Sequence, residues 1–273
     1  MKQRIITGAI ILALVLVMLF LSGTWAYPAV ITLLSVIGTW EMLGCVGERK
    51  TPILSIPALA AAAAAPTAAY FLGHGAVAAI VVLLMFLVLF SSVFTGESVK
   101  TQSVCAVFTT TVYVVVCFSS LLLLRYVEYD GRTVGQYLIV LVFVAAWITD
   151  TFAYFVGYFF GKHKLIPKVS PKKTVEGAVG GIVFCAVAFL IYGATVRKLT
   201  DYIPNYIVLT VLGIALSAVS QLGDLLASAI KRSYRVKDNG KLFPGHGGVL
   251  DRFDSVMALA PALLILVKIV TCR

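Results

Sequence analysis

Four stretches in the second half of the chain hold residue types suited to phosphate and to a hard metal ion. The first is Asp150, set inside an apolar run in Trp147-Ile-Thr-Asp-Thr-Phe-Ala-Tyr154. A carboxylate at the centre of a membrane helix costs about 2.5–3.5 kcal/mol on insertion scales, so it needs a partner or a water-filled cavity. At helical spacing it shares a side with Tyr154, Gly157, Tyr158 and Gly161, forming a polar stripe. The plainer alternative is a structural carboxylate paired with a lysine or hydroxyl from another helix.

The second stretch is the loop Gly161-Lys-His-Lys-Leu-Ile-Pro-Lys-Val-Ser-Pro-Lys-Lys-Thr174, followed by Val175-Glu-Gly. Its lysines, Lys172 and Lys173 among them, meet no acid before Glu176, and its two prolines stiffen it. The Thr174 hydroxyl is placed to cap the next helix. A helix N-terminus beside lysines suits anions such as phosphates. A plain topogenic loop touching anionic lipid heads is the competing reading.

The third is Ser220-Gln-Leu-Gly-Asp224-Leu-Leu-Ala-Ser228-Ala-Ile-Lys231-Arg232. Ser220, Asp224, Ser228 and Lys231 share one helical arc of about 80°. Asp224 falls about 10 Å below Lys231 along the axis, at a depth where water and a metal can reach it. Pairing of Asp224 with Lys231 or with a neighbouring helix is the alternative.

The fourth is Lys237-Asp238-Asn-Gly240-Lys-Leu-Phe-Pro244-Gly245-His246-Gly247-Gly248-Val-Leu-Asp251-Arg252-Phe-Asp254-Ser255. The turn around Gly247 and Gly248 lets backbone amides approach a ligand, since glycine has no Cβ in the way. Asp251 and Asp254, three residues apart at a helix start, project on one face. Carboxylates with Lys237, Arg252 and open amides suit magnesium and polyphosphate. Asp251 and Asp254 as simple helix caps form the plain alternative. His246 lies among glycines, equally placed to act as a base or to pack.

The elements that must position these residues are membrane helices. The chain has 273 residues, of which 60% are hydrophobic and 12% charged, against about 25% charged in a soluble domain. Nine apolar segments are marked: Ile5–Leu21, Ala26–Cys45, Ile53–Phe71, Ala76–Phe94, Val104–Leu124, Tyr137–Phe160, Val175–Val196, Tyr206–Ile230 and Asp254–Val270. They predict an all-α, polytopic integral membrane protein with about nine transmembrane helices. The third, Ile53–Phe71, reads as either a kinked span or a re-entrant segment. The first resembles a signal peptide but lacks a good cleavage site, so it reads as an uncleaved span.

With a cytoplasmic N-terminus, sixteen basic residues fall on the inner side and six on the outer. This arrangement places the polar stretches at the cytoplasmic face and the C-terminus outside. It also accounts for the net charge of +10 without nucleic acid as a partner. The five cysteines are scattered, with no metal-binding spacing, and read as small core or lipid-facing residues. The chain divides into a membrane-embedded region, residues 1–134, and a catalytic region, residues 135–273.

Ser228-x-x-Lys231-Arg232-x4-Lys237-Asp238-x-Gly240-x3-Pro244-Gly245-His246-Gly247-Gly248-x2-Asp251-Arg252-x-Asp254 resembles the signature of the phosphatidate cytidylyltransferases, or CDP-diacylglycerol synthases. The pattern matches at every polar position, and Ser170-Pro-Lys-Lys-Thr-x-Glu-Gly177 also looks like that family. The resemblance implies a bacterial cell-membrane enzyme, commonly a homodimer in membrane lipid, making CDP-diacylglycerol and pyrophosphate from CTP and phosphatidic acid. It implies a magnesium-type divalent cation, Mg2+, on Asp224 and Asp251, with a monovalent cation such as K+ beside it. Catalytic roles then fall on Asp224, Asp251, Lys231 and Asp254. Substrate contacts fall on Asp150, Lys172, Lys173, Ser228, Arg232, Lys237, Asp238, His246, Gly247, Gly248 and Arg252. The rival from another class is an ion-coupled transporter, since an intramembrane carboxylate also marks ion paths. No inverted repeat supports it.

Overall fold

The structure, a computed structural model, describes residues 13, 15–95, 99–129, 131–200, 203–240 and 247–271. Among these residues are eight helices of 20 to 28 residues: α1 (Ala26–Cys45), α2 (Pro52–Leu72), α3 (His74–Thr95), α4 (Thr101–Arg125), α5 (Gly135–Phe160), α6 (Val175–Leu199), α7 (Tyr206–Ser233) and α8 (Leu250–Thr271). The chain is an all-α membrane protein in which α1 to α7 are long and apolar enough to cross a bilayer. That is seven spans among the described residues, against the expected nine. The expected first span lies mostly outside the described residues. The last, α8, is long enough, but Asp251, Arg252 and Asp254 crowd its start.

The segment expected to be kinked or re-entrant is one unbroken helix, α2, despite Pro57 and Pro66 inside it. Pro52 opens it at a position where the missing N–H costs nothing. Gly73, at φ 77° and ψ −161°, closes it in a positive-φ conformation that suits glycine, its N–H donating to the Ala69 carbonyl. Two short hairpins are additions that the helical expectation lacked: β1 (Glu128–Tyr129) with β2 (Arg132–Thr133), and β3 (Lys164–Ile166) with β4 (Ser170–Thr174).

The chain forms two compact units, Met1–Gln136 with Ser233–Phe253, and Tyr137–Arg232 with Asp254–Arg273. In the first unit, α1, α2 and α4 pack on one another and α3 packs on α2 and α4. The seam is built from small residues, because Ala58, Ala61, Ala62, Ala65 and Ala69 of α2 are all buried. Around them lie Leu43, Leu54, Leu84, Val88, Val104 and Val107. Between membrane helices such small-residue faces gain van der Waals contact, since lipid removes most of the hydrophobic drive to associate. A polar tie joins α1 to α4: the buried Tyr27 hydroxyl donates to the Leu121 carbonyl at 2.9 Å.

The second unit is drawn together by glycines. A side chain on Gly177 would strike the Ala153 carbonyl, and side chains on Gly180 and Gly181 would strike Val156 and Thr149. Thus α5 and α6 approach backbone to backbone. Gly213 lets α7 lie against Ala186 of α6, and Gly223 admits Ala258 of α8. Hydrogen bonds lock the register. Thr149 meets Ser217 at 2.9 Å, with both side chains fully buried. The Gln221 amide donates to the Ala178 carbonyl at 3.1 Å.

Candidate active site

The expected Thr174 cap is present. Its hydroxyl accepts the Gly177 N–H at 3.1 Å and is buried. The basic loop ahead of it is folded as a ribbon, with Lys164 opposite Thr174 and Ile166 opposite Ser170. Glu176 fastens this ribbon to α6. Its carboxylate accepts the His163 backbone N–H at 3.2 Å and pairs with the His163 ring at 2.7 Å. Strand alternation then sends neighbouring lysines opposite ways: Lys172 is exposed and Lys173 turns inward.

The Lys173 ammonium meets an Asp224 carboxylate oxygen at 2.5 Å, and each side chain is less than one quarter exposed. The ribbon and the C-terminal half of α7 are therefore brought together within the second unit. Lys231, offered above as a partner for Asp224, is buried within electrostatic reach of Asp254. Asp150 and Asp254 both lie within electrostatic reach of Asp224. Ser255 joins them, donating its hydroxyl to Asp150 at 3.1 Å. Gly223 supports this arrangement, since α8 packs there with the Asp254 backbone close to the glycine. Of the remaining positions in this unit, Ser228 is half-buried and Arg232 exposed.

The cluster sets three carboxylates beside two lysines, oxygen donors for a cation next to positive charge for a phosphate. Among the described residues, no three carboxylate, imidazole or thiol groups already stand at ligand spacing for a metal. Magnesium does not require them to. It takes one or two carboxylates, keeps water and completes its shell with substrate phosphate oxygens. The donor chemistry therefore fits.

Asp251 belongs to the first unit, where it is tightly held. One carboxylate oxygen accepts the N–H groups of Asn239 and Gly248, both at 2.9 Å, and the other accepts the Asn239 amide at 3.3 Å. It thus caps the turn that leads into α8. The amides around the glycine turn are less open than expected. Gly248 N–H goes to Asp251, while the N–H groups of Val249 and Leu250 donate to Glu41 at 3.0 Å each. The extra caps explain why α8 starts at Leu250, ahead of the expected Asp254. Gly247, at φ 80°, is in a conformation that suits glycine. Lys237, Asp238 and Arg252 are exposed. His246 lies outside the described residues.

Sequence reasoning missed the roles of Asn239, Ser255, Glu176 and Glu41. The signal available for Glu41 was its solitude, since α1 to α4 contain no other acidic residue.

A sequence model of the Cytidylyltransferase family matches residues 2–270. The chain is 36% identical over 282 aligned residues to the phosphatidate cytidylyltransferase of Bacillus subtilis (strain 168), covering 98% of each protein. It is 46% identical over 138 residues to proteins of the same name from Staphylococcus aureus (strain COL) and Staphylococcus haemolyticus (strain JCSC1435). Those two matches cover 50% of this chain and 52% of theirs.

Proposed function

The chain belongs to the phosphatidate cytidylyltransferase family, and on that footing we propose that it transfers the cytidylyl group of CTP to phosphatidic acid. The products are CDP-diacylglycerol and pyrophosphate. A phosphate oxygen of phosphatidic acid forms a bond to the α-phosphorus of CTP, and the bond from that phosphorus to the bridging oxygen of the leaving pyrophosphate breaks. The attacking oxygen is already anionic, so no strong general base is needed. Catalysis consists of aligning two polyanions and neutralising charge as it moves to the leaving group.

The observation that carries this reading is the Lys173–Asp224 pair set beside Asp150, Asp254 and Lys231. It puts cationic and anionic groups side by side, as a site for phosphate plus metal requires. Lys173 and Lys231 screen phosphate charge from within the cluster. Lys172, Arg232, Lys237 and Arg252 are exposed and gather the triphosphate and the lipid phosphate from solvent. Ser228 donates a hydrogen bond, and Asp238 orients the cations near it. Magnesium, for which Asp224 and Asp251 are each candidate ligands, and a monovalent cation such as K+ would supply charge neutralisation at the pyrophosphate. The excess of basic residues on one side of the predicted topology supports a site facing the cytoplasm of a bacterial cell, with the C-terminus outside. A homodimer in the membrane completes the proposal.

The test uses the purified full-length protein with cytidine-labelled CTP, phosphatidic acid in mixed micelles and magnesium. Label passing into the organic phase is the expected result. Its absence overturns the reading.

A further inference from the structure

Glu41 is 4% exposed on α1 and lies outside the set of carboxylates and lysines to which the reaction is assigned above, within electrostatic reach of one of them, Asp251. Its two carboxylate oxygens accept the N–H groups of Val249 and Leu250, across 208 and 209 positions of sequence. A Cβ on either Gly240 or Gly248 would overlap this carboxylate. With Asp251 taking the Gly248 N–H, three consecutive amides at the start of α8 are satisfied by two acids. Free amides at a helix start attract phosphate. Here they are filled from within, and the glycines of the signature make room for an acid from a distant helix.

We propose that Glu41 is a positioning residue for the transfer reaction. It clamps the glycine loop and the first turn of α8, so that Asp251 is presented in one orientation. This rests on the function proposed above, whereas the clamp itself rests only on the geometry.

The experiment compares Glu41→Ala and Glu41→Gln with the parent, as full-length purified proteins in lipid nanodiscs. It reads hydrogen exchange together with steady-state kinetics. In Glu41→Ala the amides of Val249 and Leu250 should exchange at least about 100-fold faster, while Thr101–Arg125 keeps its protection. The kcat should fall at least about tenfold, with the KM for phosphatidic acid within about twofold of the parent. Glu41→Gln, which keeps one acceptor oxygen, should recover part of both losses. Unchanged exchange at those amides, unchanged kcat, or loosening spread evenly through α1 to α4 overturns the proposal. If Glu41→Ala yields no folded protein, Gly248→Ala provides the second route. Its methyl group presses on the carboxylate, and shortening the acid with Glu41→Asp should restore activity. Failure of that suppression overturns the clamp. A parent protein that labels no lipid overturns the function alone, because the exchange result is independent of turnover.

Discussion

Lys173 of the ribbon strand β4 and Asp224 of α7 form an ion pair at 2.5 Å, both side chains shielded from most solvent. Without that ammonium, Asp224 would face Asp150 and Asp254 with less counter-charge. A hydrogen bond to a charged group contributes about 1.5–3 kcal/mol. Lys173→Met should therefore lower kcat/KM for CTP by about 10- to 100-fold, at about 1.4 kcal/mol per tenfold. Lys173→Arg should retain part of the rate, because it keeps the charge in a different shape. Initial rates at limiting and saturating CTP check this, and parent-like rates at limiting CTP would reduce the ribbon to a topological element.

Asp251→Asn keeps an oxygen to accept from Asn239 and Gly248 but loses the charge proposed to hold metal. Turnover should fall by at least about 10³-fold, comparable to the loss of one strong electrostatic contact in a transition state. The variant should still fractionate with the membrane. Transfer of label from CTP to lipid measures the first effect, and membrane fractionation the second.

Ser255→Ala removes the hydroxyl that donates to Asp150. A single hydrogen bond is worth about 0.5–1.5 kcal/mol, so kcat should drop by only about two- to tenfold. Asp150→Asn should cost more, because it removes the charge itself. Rates for both variants beside the parent decide the order.

Gly177→Val puts a branched side chain where the Ala153 carbonyl lies. Overpacking of this kind costs about 1–3 kcal/mol or more, and the backbone leaves little room to yield. The expected outcome is a lower unfolding temperature in detergent and a reduced folded yield. Thr174→Ala, which removes only the helix cap, should cost about 1 kcal/mol and remain folded.

The apolar helices and the Thr174 cap were legible in the sequence because both are local. Hydropathy reports the environment of each residue, and a cap needs only a hydroxyl three positions before its amide. Asp150, Lys173, Asp224 and Asp254 were legible as chemistry, since a charge inside or at the edge of a span demands a reason. Their partners were harder to find. Asp224 pairs with Lys173 on a ribbon that hydropathy cannot register, because β3 and β4 are only 3 and 5 residues long.

Glu41 illustrates the other limit. Its solitude showed that it needed partners, but nothing near it in sequence supplies them. The turn around Gly247 and Gly248 read as an opening for a ligand because a missing side chain looks the same whichever acid fills the space. The span count fell short for a further reason. The start of α8 is weighted by the charges of Asp251, Arg252 and Asp254, which lowers its apolarity without shortening the helix.

The 208 positions between Glu41 and Val249 also set an interval of time. At a synthesis rate of about 5–20 residues per second, α1 is made roughly 10–40 s before the amides that will receive its carboxylate. The nascent chain must accommodate an acid in a membrane helix throughout that wait. The first unit is completed only when the ribosome has passed α7, so the earliest helices of this protein are among the last to reach their final state.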